Sequence, residues 1–545
     1  MSAEEPKNQT PFSTTGRSRK GEPWVWLTAM GLSIGVVMAL GLLLLIVVKG
    51  TASFWPRRIE LMEVKTPQGK EMIAGFITRE TERKDSSGAL HQEVQIFRGN
   101  KDISGDTFRF YDRKDILKAS RPKDYLRIER TEYGPAIVKP VALETSSGKV
   151  PAKAADFHKK LDEWIDQAAD ARAQLLVIER KKIGAISREI DALDTALKNQ
   201  KVDPKVAEKR RAELQAEFDQ RQKEAAEIRA KFTGTNLLVQ TADGHDASIP
   251  VANVMGVFQS NQAGLFQRMG EMWHRIWEFL SDEPREANTE GGVFPAIFGT
   301  VVMTLVMSLF VTPFGVIAAI YLREYAKQGM VVRIVRICVN NLAGVPSIVF
   351  GVFGLAFFVY FVGAKIDHAF FADQLPTPTY GTPGILWASL TLALLTLPVV
   401  IVATEEALSA VPRGVREAAL ACGASKWQTI QRVVLPASLP GILTGVILAM
   451  ARGAGEVAPL MLVGVVKFSP TLPIDGVAPF IHPDRKFMHL GFHIFDLGFQ
   501  SPDAEAAIPV VYATALLLIV VVVTLNLTAI LIRNRLKKRF ATSSF

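Results

Sequence analysis

Cysteine is scarce in this chain, with only Cys338 and Cys422 in 545 residues. That excludes a disulfide framework and a cysteine-based metal site. Histidine is scarce too, and His91, His158 and His245 stand isolated in sequence, which suits surface or packing roles. No Gly-rich loop ends in Gly-Lys-Ser or Gly-Lys-Thr, so the chain has no phosphate-cradling loop for ATP. The net charge is +9, yet the aromatic-interleaved basic surface that single-stranded nucleic acid needs is missing. The basic residues sit instead at the ends of apolar segments and in one helical tract, so nucleic acid is not an expected partner.

Long apolar runs, by contrast, are plentiful. A spanning helix needs about 20 mostly apolar residues. Six runs qualify, approximately Trp24–Val48, Val293–Leu322, Ile337–Val362, Ile385–Thr404, Gly441–Val466 and Ile508–Ile532. The first is longer than a signal-peptide core of about 7–15 residues and no small-x-small cleavage site follows, so it reads as a retained anchor. Trp24, Trp26 and Trp55 flank it as interfacial residues should.

Basic clusters set the orientation. Lys7, Arg17, Arg19 and Lys20 precede the first run. Arg323, Lys327, Arg333 and Arg336 lie between the second and third. Arg413, Arg416, Lys426 and Arg432 lie between the fourth and fifth, and Arg533, Arg535, Lys537, Lys538 and Arg539 follow the sixth. With both termini in the cytoplasm, every cluster falls on the cytoplasmic side. The expected fold is an all-α polytopic membrane protein with six transmembrane helices and an inserted α+β domain.

The expected division is a cytoplasmic tail 1–23, a first span 24–48, an outer domain 49–290, a five-helix core 291–535 and a cytoplasmic tail 536–545. Within the outer domain, Ile73–Ile77 and Val94–Phe97 are strand-like runs between turn residues. From about 154 to 232 the text turns Ala-, Glu-, Lys- and Arg-rich. Ile183, Ile186, Ile190, Leu193 and Leu197, then Leu214, Phe218, Ala225, Ile228 and Phe232, recur at helical spacing, with Asp203-Pro204 as a turn between them. The pattern predicts an antiparallel, coiled-coil-like helical hairpin interrupting a β-rich domain. Strand text returns at Leu237–Gln240 and Ile249–Phe258. An amphipathic stretch near Gln262–Pro284, with Trp273, Trp277 and Phe279, is expected to lie along the membrane surface.

The most informative segment is 405–440. Arg416 to Leu420 is helix text, Gly423 interrupts it, and a second helical stretch runs to Val434 before Leu435-Pro436. Glu417-Ala418-Ala419, a Gly six residues after the Glu, and Leu-Pro twelve after the Gly resemble the EAA loop of ABC importer permeases. Only the Ile usual two positions before that Leu is changed, to Val433. Further segments, TPFGVIAAIYLREYA (Thr312–Ala326), GVPSIVFGVFGLAFF (Gly344–Phe358), TLPVVIVATEEAL (Thr396–Leu408) and ARGAGEVAPLML (Ala451–Leu462), look like PstA-type permeases of bacterial phosphate uptake systems. The resemblance covers about residues 290–535, and the large outer insert departs from typical members.

The resemblance implies the type I ABC importer permease fold and a multi-pass place in the bacterial inner membrane, with the insert in the periplasm. It implies that Glu417, Ala418, Ala419, Gly423, Leu435 and Pro436 form a coupling element fitting a separate ATPase. ATP and magnesium would then reside on that partner, and this chain would need no cofactor and carry no hydrolytic activity. The implied partners are a homologous PstC-type permease, PstB-type ATPase subunits and a PstS-type periplasmic phosphate-binding protein.

Arg452 and Glu456 are charges in the fifth run, four apart and able to pair. Charge deep in a bilayer costs about 2.5–3.5 kcal/mol on insertion scales and marks a protein or water-filled interior. One reading is a structural pair locking helices; the other is a guanidinium fork offered to a passing oxyanion, with Glu456 orienting it. Residue types alone do not separate phosphate from sulfate or molybdate; the resemblance favours phosphate. Pro346 and Pro398, read as lying inside the third and fourth runs, are candidate hinges or static kinks. His489 and His493 share helical spacing but bring too few ligands for a metal, so no metal site is expected. A rival of another class is a membrane-anchored scaffold or sensor acting through its outer domain.

Overall fold

Six helices are long and apolar enough to cross a membrane: Trp26–Ala52, Phe294–Tyr325, Ser347–Phe370, Ile385–Ser409, Lys426–Gly455 and Ala504–Lys538. They come from a computed structural model that describes residues 23–541 except 68, 85–89, 147, 286–287, 477 and 502–503. The basic cluster Lys7, Arg17, Arg19 and Lys20 and residues 542–545 lie outside the described residues.

Three boundaries differ from the sequence reading. The run expected at Ile337–Val362 is two helices, an amphipathic Met330–Leu342 and an apolar Ser347–Phe370. Pro346 sits at the N-cap of the second, with an extended backbone (φ −54°, ψ 134°), where its missing N–H costs no helix hydrogen bond. The fifth helix begins at Lys426 rather than Gly441 and stops at Gly455, short of Val466. Gly453, Gly455 and Pro459 are poor helix formers in series, and a one-turn helix Leu460–Val463 follows the break. The sixth helix continues to Ala541, so most of the segment assigned to a terminal tail is helical.

The fourth and fifth helices meet along small residues. A Cβ at Gly441 would stand 2.5 Å from that of Ala407, and one at Gly445 would stand 2.4 Å from that of Ala403. Glycines four apart facing alanines four apart let two backbones approach where lipid offers no hydrophobic drive. Around this contact Met303, Met307, Leu392, Val446, Met450 and Phe487 form one buried cluster.

Residues 60–258 build two antiparallel sheets. The first has the order β4 (Phe108–Asp112), β3 (Leu90–Phe97), β2 (Gly69–Lys84), β1 (Glu60–Thr66), β5 (Ile116–Ser120). The second has the order β10 (Asp246–Pro250), β9 (Asn236–Gln240), β7 (Ala136–Thr145), β6 (Leu126–Arg130), β11 (Val254–Phe258), with β8 (Gly148–Pro151) also on β7. Leu126, Ile128 and Arg130 of β6 alternate inward at the strand period of two. The stretch read as one strand, Ile249–Phe258, is split at Pro250 by a short 3-10 turn.

The helical tract leaves the second sheet after β8 and returns at β9, whose Leu237 faces Leu143 of β7. Its first arm runs through Phe157–Leu176, a wider turn at Val177–Ile183, and Gly184–Lys198. Phe157, Leu161 and Ile165 root that arm in the core beneath the sheet. The second arm, Pro204–Ala230, opens with Pro204 in its first turn and the Asp203 side chain accepting from Lys205 N. Ion pairs join the arms at Arg229–Glu179 and Arg210–Glu189, a falling-against-rising order that makes them antiparallel.

Candidate functional site

The segment after the fourth helix is built by helix-capping chemistry. Helix Arg413–Ala421 ends at Cys422, and Gly423 follows with φ +85°. Gly423 N donates to Leu420 O at 2.9 Å and Ala424 N to Ala419 O at 3.2 Å, the paired bonds of a Schellman turn. A side chain at that left-handed position is strained, so the glycine has a backbone cause. The next helix opens on a capping box: Ser425 Oγ accepts from Gln428 N at 3.2 Å, and Gln428 Oε1 accepts from Ser425 N at 2.9 Å.

The second helical stretch does not end at Val434 before Leu435-Pro436. The helix from Lys426 runs through Pro436 to Gly455. An i→i+5 turn at Ile430–Val434, with Leu435 N donating to Ile430 O, immediately precedes the proline. A wide turn there re-spaces the backbone bonds where proline withholds a donor.

No residue of helix Arg413–Ala421 is buried. Glu417, Ala418 and Gly423 are exposed and Ala419 is half-buried, while Val415, Leu420 and Trp427 add apolar surface to the same element. The element is nevertheless tied to the bundle. Arg416 pairs with Glu324, at the end of the second apolar helix, at 3.2 Å, and also donates to the carbonyl of Leu408 in the fourth. Lys426 stands over the Tyr325 ring at 4.9 Å. Ile430 and Val434 pack with Ile320, Leu408 and Val411. Glu324 escaped the sequence reading although it lies in the quoted LREYA text; an acid just before a basic loop was its only signal.

Arg452 lies in the last turn of the fifth helix, where a cation also suits the helix dipole. Its Nε stands 3.6 Å from Glu456 Oε1, and Glu456 is the extended residue that ends the helix. The pair therefore closes across a helix terminus rather than along one face. Arg452 keeps 40% of its side chain exposed and Glu456 24%, which favours an open guanidinium over a buried lock. Thr444, Leu448, Arg452 and Gly455 form an exposed stripe on this helix at spacings of four and three.

Pro398 is buried inside the fourth helix. Pro313 and Pro440, which the sequence reading passed over, are likewise internal to the second and fifth. His489 Nδ1 caps the helix Leu490–Phe499 by accepting from Gly491 N at 3.1 Å, and Leu490 N donates to Thr300 Oγ1 at 2.9 Å. Both His489 and His493 are buried, and burial pushes each imidazole down to about 4, so the rings are neutral. Among the described residues no group of three or more His, Cys, Asp or Glu could hold a metal ion.

The exposed capped helix is thus pinned to a bundle of apolar helices, one of which also carries the Arg452–Glu456 pair. Residues 311–542 match the family described as binding-protein-dependent transport system inner membrane component. The chain is 36% identical over 243 residues to phosphate transport system permease protein PstA 1 of Mycobacterium tuberculosis, covering 45% of this chain and 71% of that one. It is 30% identical over 260 residues to the probable ABC transporter permease protein YqgI of Bacillus subtilis, covering 46% and 81%. To PstA of Yersinia pestis it is 39% identical over 184 residues, covering 34% and 56%. The chain belongs to the PstA-type permeases.

Proposed function

We propose that this chain is the permease subunit of an ATP-driven importer that carries inorganic phosphate across a bacterial inner membrane. The likeness to PstA proteins over most of their length carries the substrate assignment. The six apolar helices are read as spans with both termini in the cytoplasm, and residues 49–290 as periplasmic, on the placement of the Lys and Arg clusters. A homologous PstC-type permease, a pair of PstB-type ATPase subunits and a PstS-type phosphate-binding protein complete the working complex. ATP and magnesium belong to the ATPase subunits, and this chain makes and breaks no covalent bond.

The element at 413–428 takes the push. Glu417, Ala418, Ala419 and Gly423 present it to the ATPase groove, with Leu435 and Pro436 leading into the fifth helix. Its movement reaches the second helix through Arg416–Glu324 and the fifth through Ile430 and Val434. The Arg452 stripe lies on the fifth helix, so a push from inside changes which side that stripe faces. Arg452 gives a dianion or monoanion a charge-assisted donor on its way, and Glu456 holds the guanidinium until the anion arrives. One shared cation speeds passage without trapping the ion.

Radiolabelled uptake by proteoliposomes holding the whole complex, with sulfate and molybdate as competitors, tests this. Phosphate uptake that neither competitor blocks is expected. Sulfate uptake without phosphate uptake would move the assignment to another oxyanion. Co-purification without any ATPase would favour the scaffold reading.

A further inference from the structure

Helix Leu265–Ser281 joins the inserted domain to the second apolar helix, and its two faces differ in kind. Leu265, Phe266, Met269, Trp273 and Trp277 are all exposed, Phe266 at 85% and Trp277 at 69%. At the helical repeat these five share an arc of about 120°. The other face is bonded to the inserted domain. Arg275 pairs with Glu271 at 2.7 Å and approaches Glu129 of β6 at 3.7 Å, and Glu278 accepts from Arg285 at 2.8 Å.

Both ends of this helix are fixed at the level where the apolar helices end. Phe279 meets the ring of Phe54, just past the first apolar helix, edge to face at 5.3 Å, and Val293 N, at the start of the second, donates to Phe279 O at 2.8 Å. At the other end Arg268 lies over the Trp55 ring at 5.0 Å and donates to the carbonyl of Pro56. These contacts hold the helix beside the ends of the first and second apolar helices and leave its apolar arc uncovered. Tryptophan and phenylalanine are the residues that headgroup regions accept, and the arc carries no charge.

We infer that Leu265–Ser281 is a bilayer-seated pedestal: its apolar arc sinks into the outer-leaflet interface while its Arg–Glu face fixes the tilt of the inserted domain. Lipid is the occupant because the arc is apolar, carries no charge and is held beside the ends of the first and second apolar helices. The inference is independent of what the permease carries.

The test uses the full chain with its partner subunits in lipid nanodiscs, with Cys338→Ser and Cys422→Ser as background. An environment-sensitive fluorophore is placed singly through Phe266→Cys, Met269→Cys and Trp273→Cys, and through Gln267→Cys and His274→Cys as controls on the exposed polar side. Labels at 266, 269 and 273 should shift to the blue and be quenched by brominated acyl chains. Labels at 267 and 274 should emit as in water and be quenched by iodide. Water-like emission at all five positions overturns the pedestal. A blue shift at 266, 269 and 273 without quenching by brominated lipid overturns it too, because a protein would then cover the arc. Should a label at 273 block assembly, positions 266 and 269 read the same face.

Discussion

Asn199, in the turn that closes the helical hairpin, donates through Nδ2 to the backbone oxygen of Asp373 at 2.8 Å, and Lys201 pairs with the carboxylate of the same residue. Asp373 lies in the loop between the third and fourth apolar helices, so the hairpin spans from the sheet to the permease core. That loop is itself ordered from below, since buried Asp367 accepts from Tyr380 N at 2.8 Å and from Gly381 N at 2.6 Å. Replacing residues 191–209 with a short glycine linker keeps the Glu189–Arg210 contact in reach and removes the tip. Membrane levels should be unchanged, while amide exchange in 371–379 rises and that in 380–384 stays protected. Unchanged exchange throughout 371–384 would show that the tip restrains nothing.

The Schellman turn makes Gly423 sensitive to shape rather than to charge. Gly423→Val forces a β-branched residue into a left-handed conformation at about 1–2 kcal/mol, whereas Gly423→Asn is milder because asparagine visits that region. The expected result is lost phosphate uptake with normal membrane insertion for the valine variant and substantial uptake for the asparagine one. Equal uptake by both would detach the turn from coupling. The Arg416–Glu324 link predicts a companion result: Glu324→Gln should leave ATPase docking intact and lower uptake per ATP hydrolysed.

Arg452 offers a similar contrast. A hydrogen bond to a charged group contributes about 1.5–3 kcal/mol, so Arg452→Gln should slow uptake by about tenfold or more. Arg452→Lys keeps the charge but loses the planar fork, and should fall between. Glu456→Gln should raise apparent phosphate affinity and slow release. Single-turnover uptake and equilibrium binding to the assembled complex separate these effects. An Arg452→Gln complex with wild-type rates would reduce the pair to a helix-end cap.

Sequence and structure agree best where the cause is local. The turn at Gly423 is written in a short string, because a glycine after a helix and a Ser-x-x-Gln box after it are read within a few residues. The Asp203-Pro204 start of the second hairpin arm is legible for the same reason. Pro346 was misplaced because hydropathy ran straight through it, while the restriction proline imposes on its neighbour broke the helix. The contacts of Asn199 with Asp373 and of Arg416 with Glu324 join residues far apart in the chain, and nothing in either local pattern announces a partner. Opposed charges were visible at all four positions or their neighbours, but charge is common and pairing needs the fold.

Glu129 gives the inserted domain a pH signature. Burial alone would raise its carboxyl, but Arg127 at 2.8 Å, with Arg275 and Arg285 nearby, outweighs burial and holds it below the ordinary 4.5. A carboxylate lowered on folding stabilises the fold above its unfolded value and loses that contribution as pH falls through the folded one. The contribution should therefore be constant from pH 7 to pH 5 and decline only below about 4.5. Glu129→Gln leaves Arg275 with Glu271 alone and Arg127 without its near partner, at a cost of about 1–3 kcal/mol. The side chain is 27% exposed, so water offsets part of that loss and the lower end is expected. The measurement is thermal unfolding of wild type and variant as full chains in nanodiscs, read by a fluorophore on the inserted domain, across that pH range. A gap between them that closes between pH 7 and pH 6 would assign the effect to a histidine and remove Glu129 from the account.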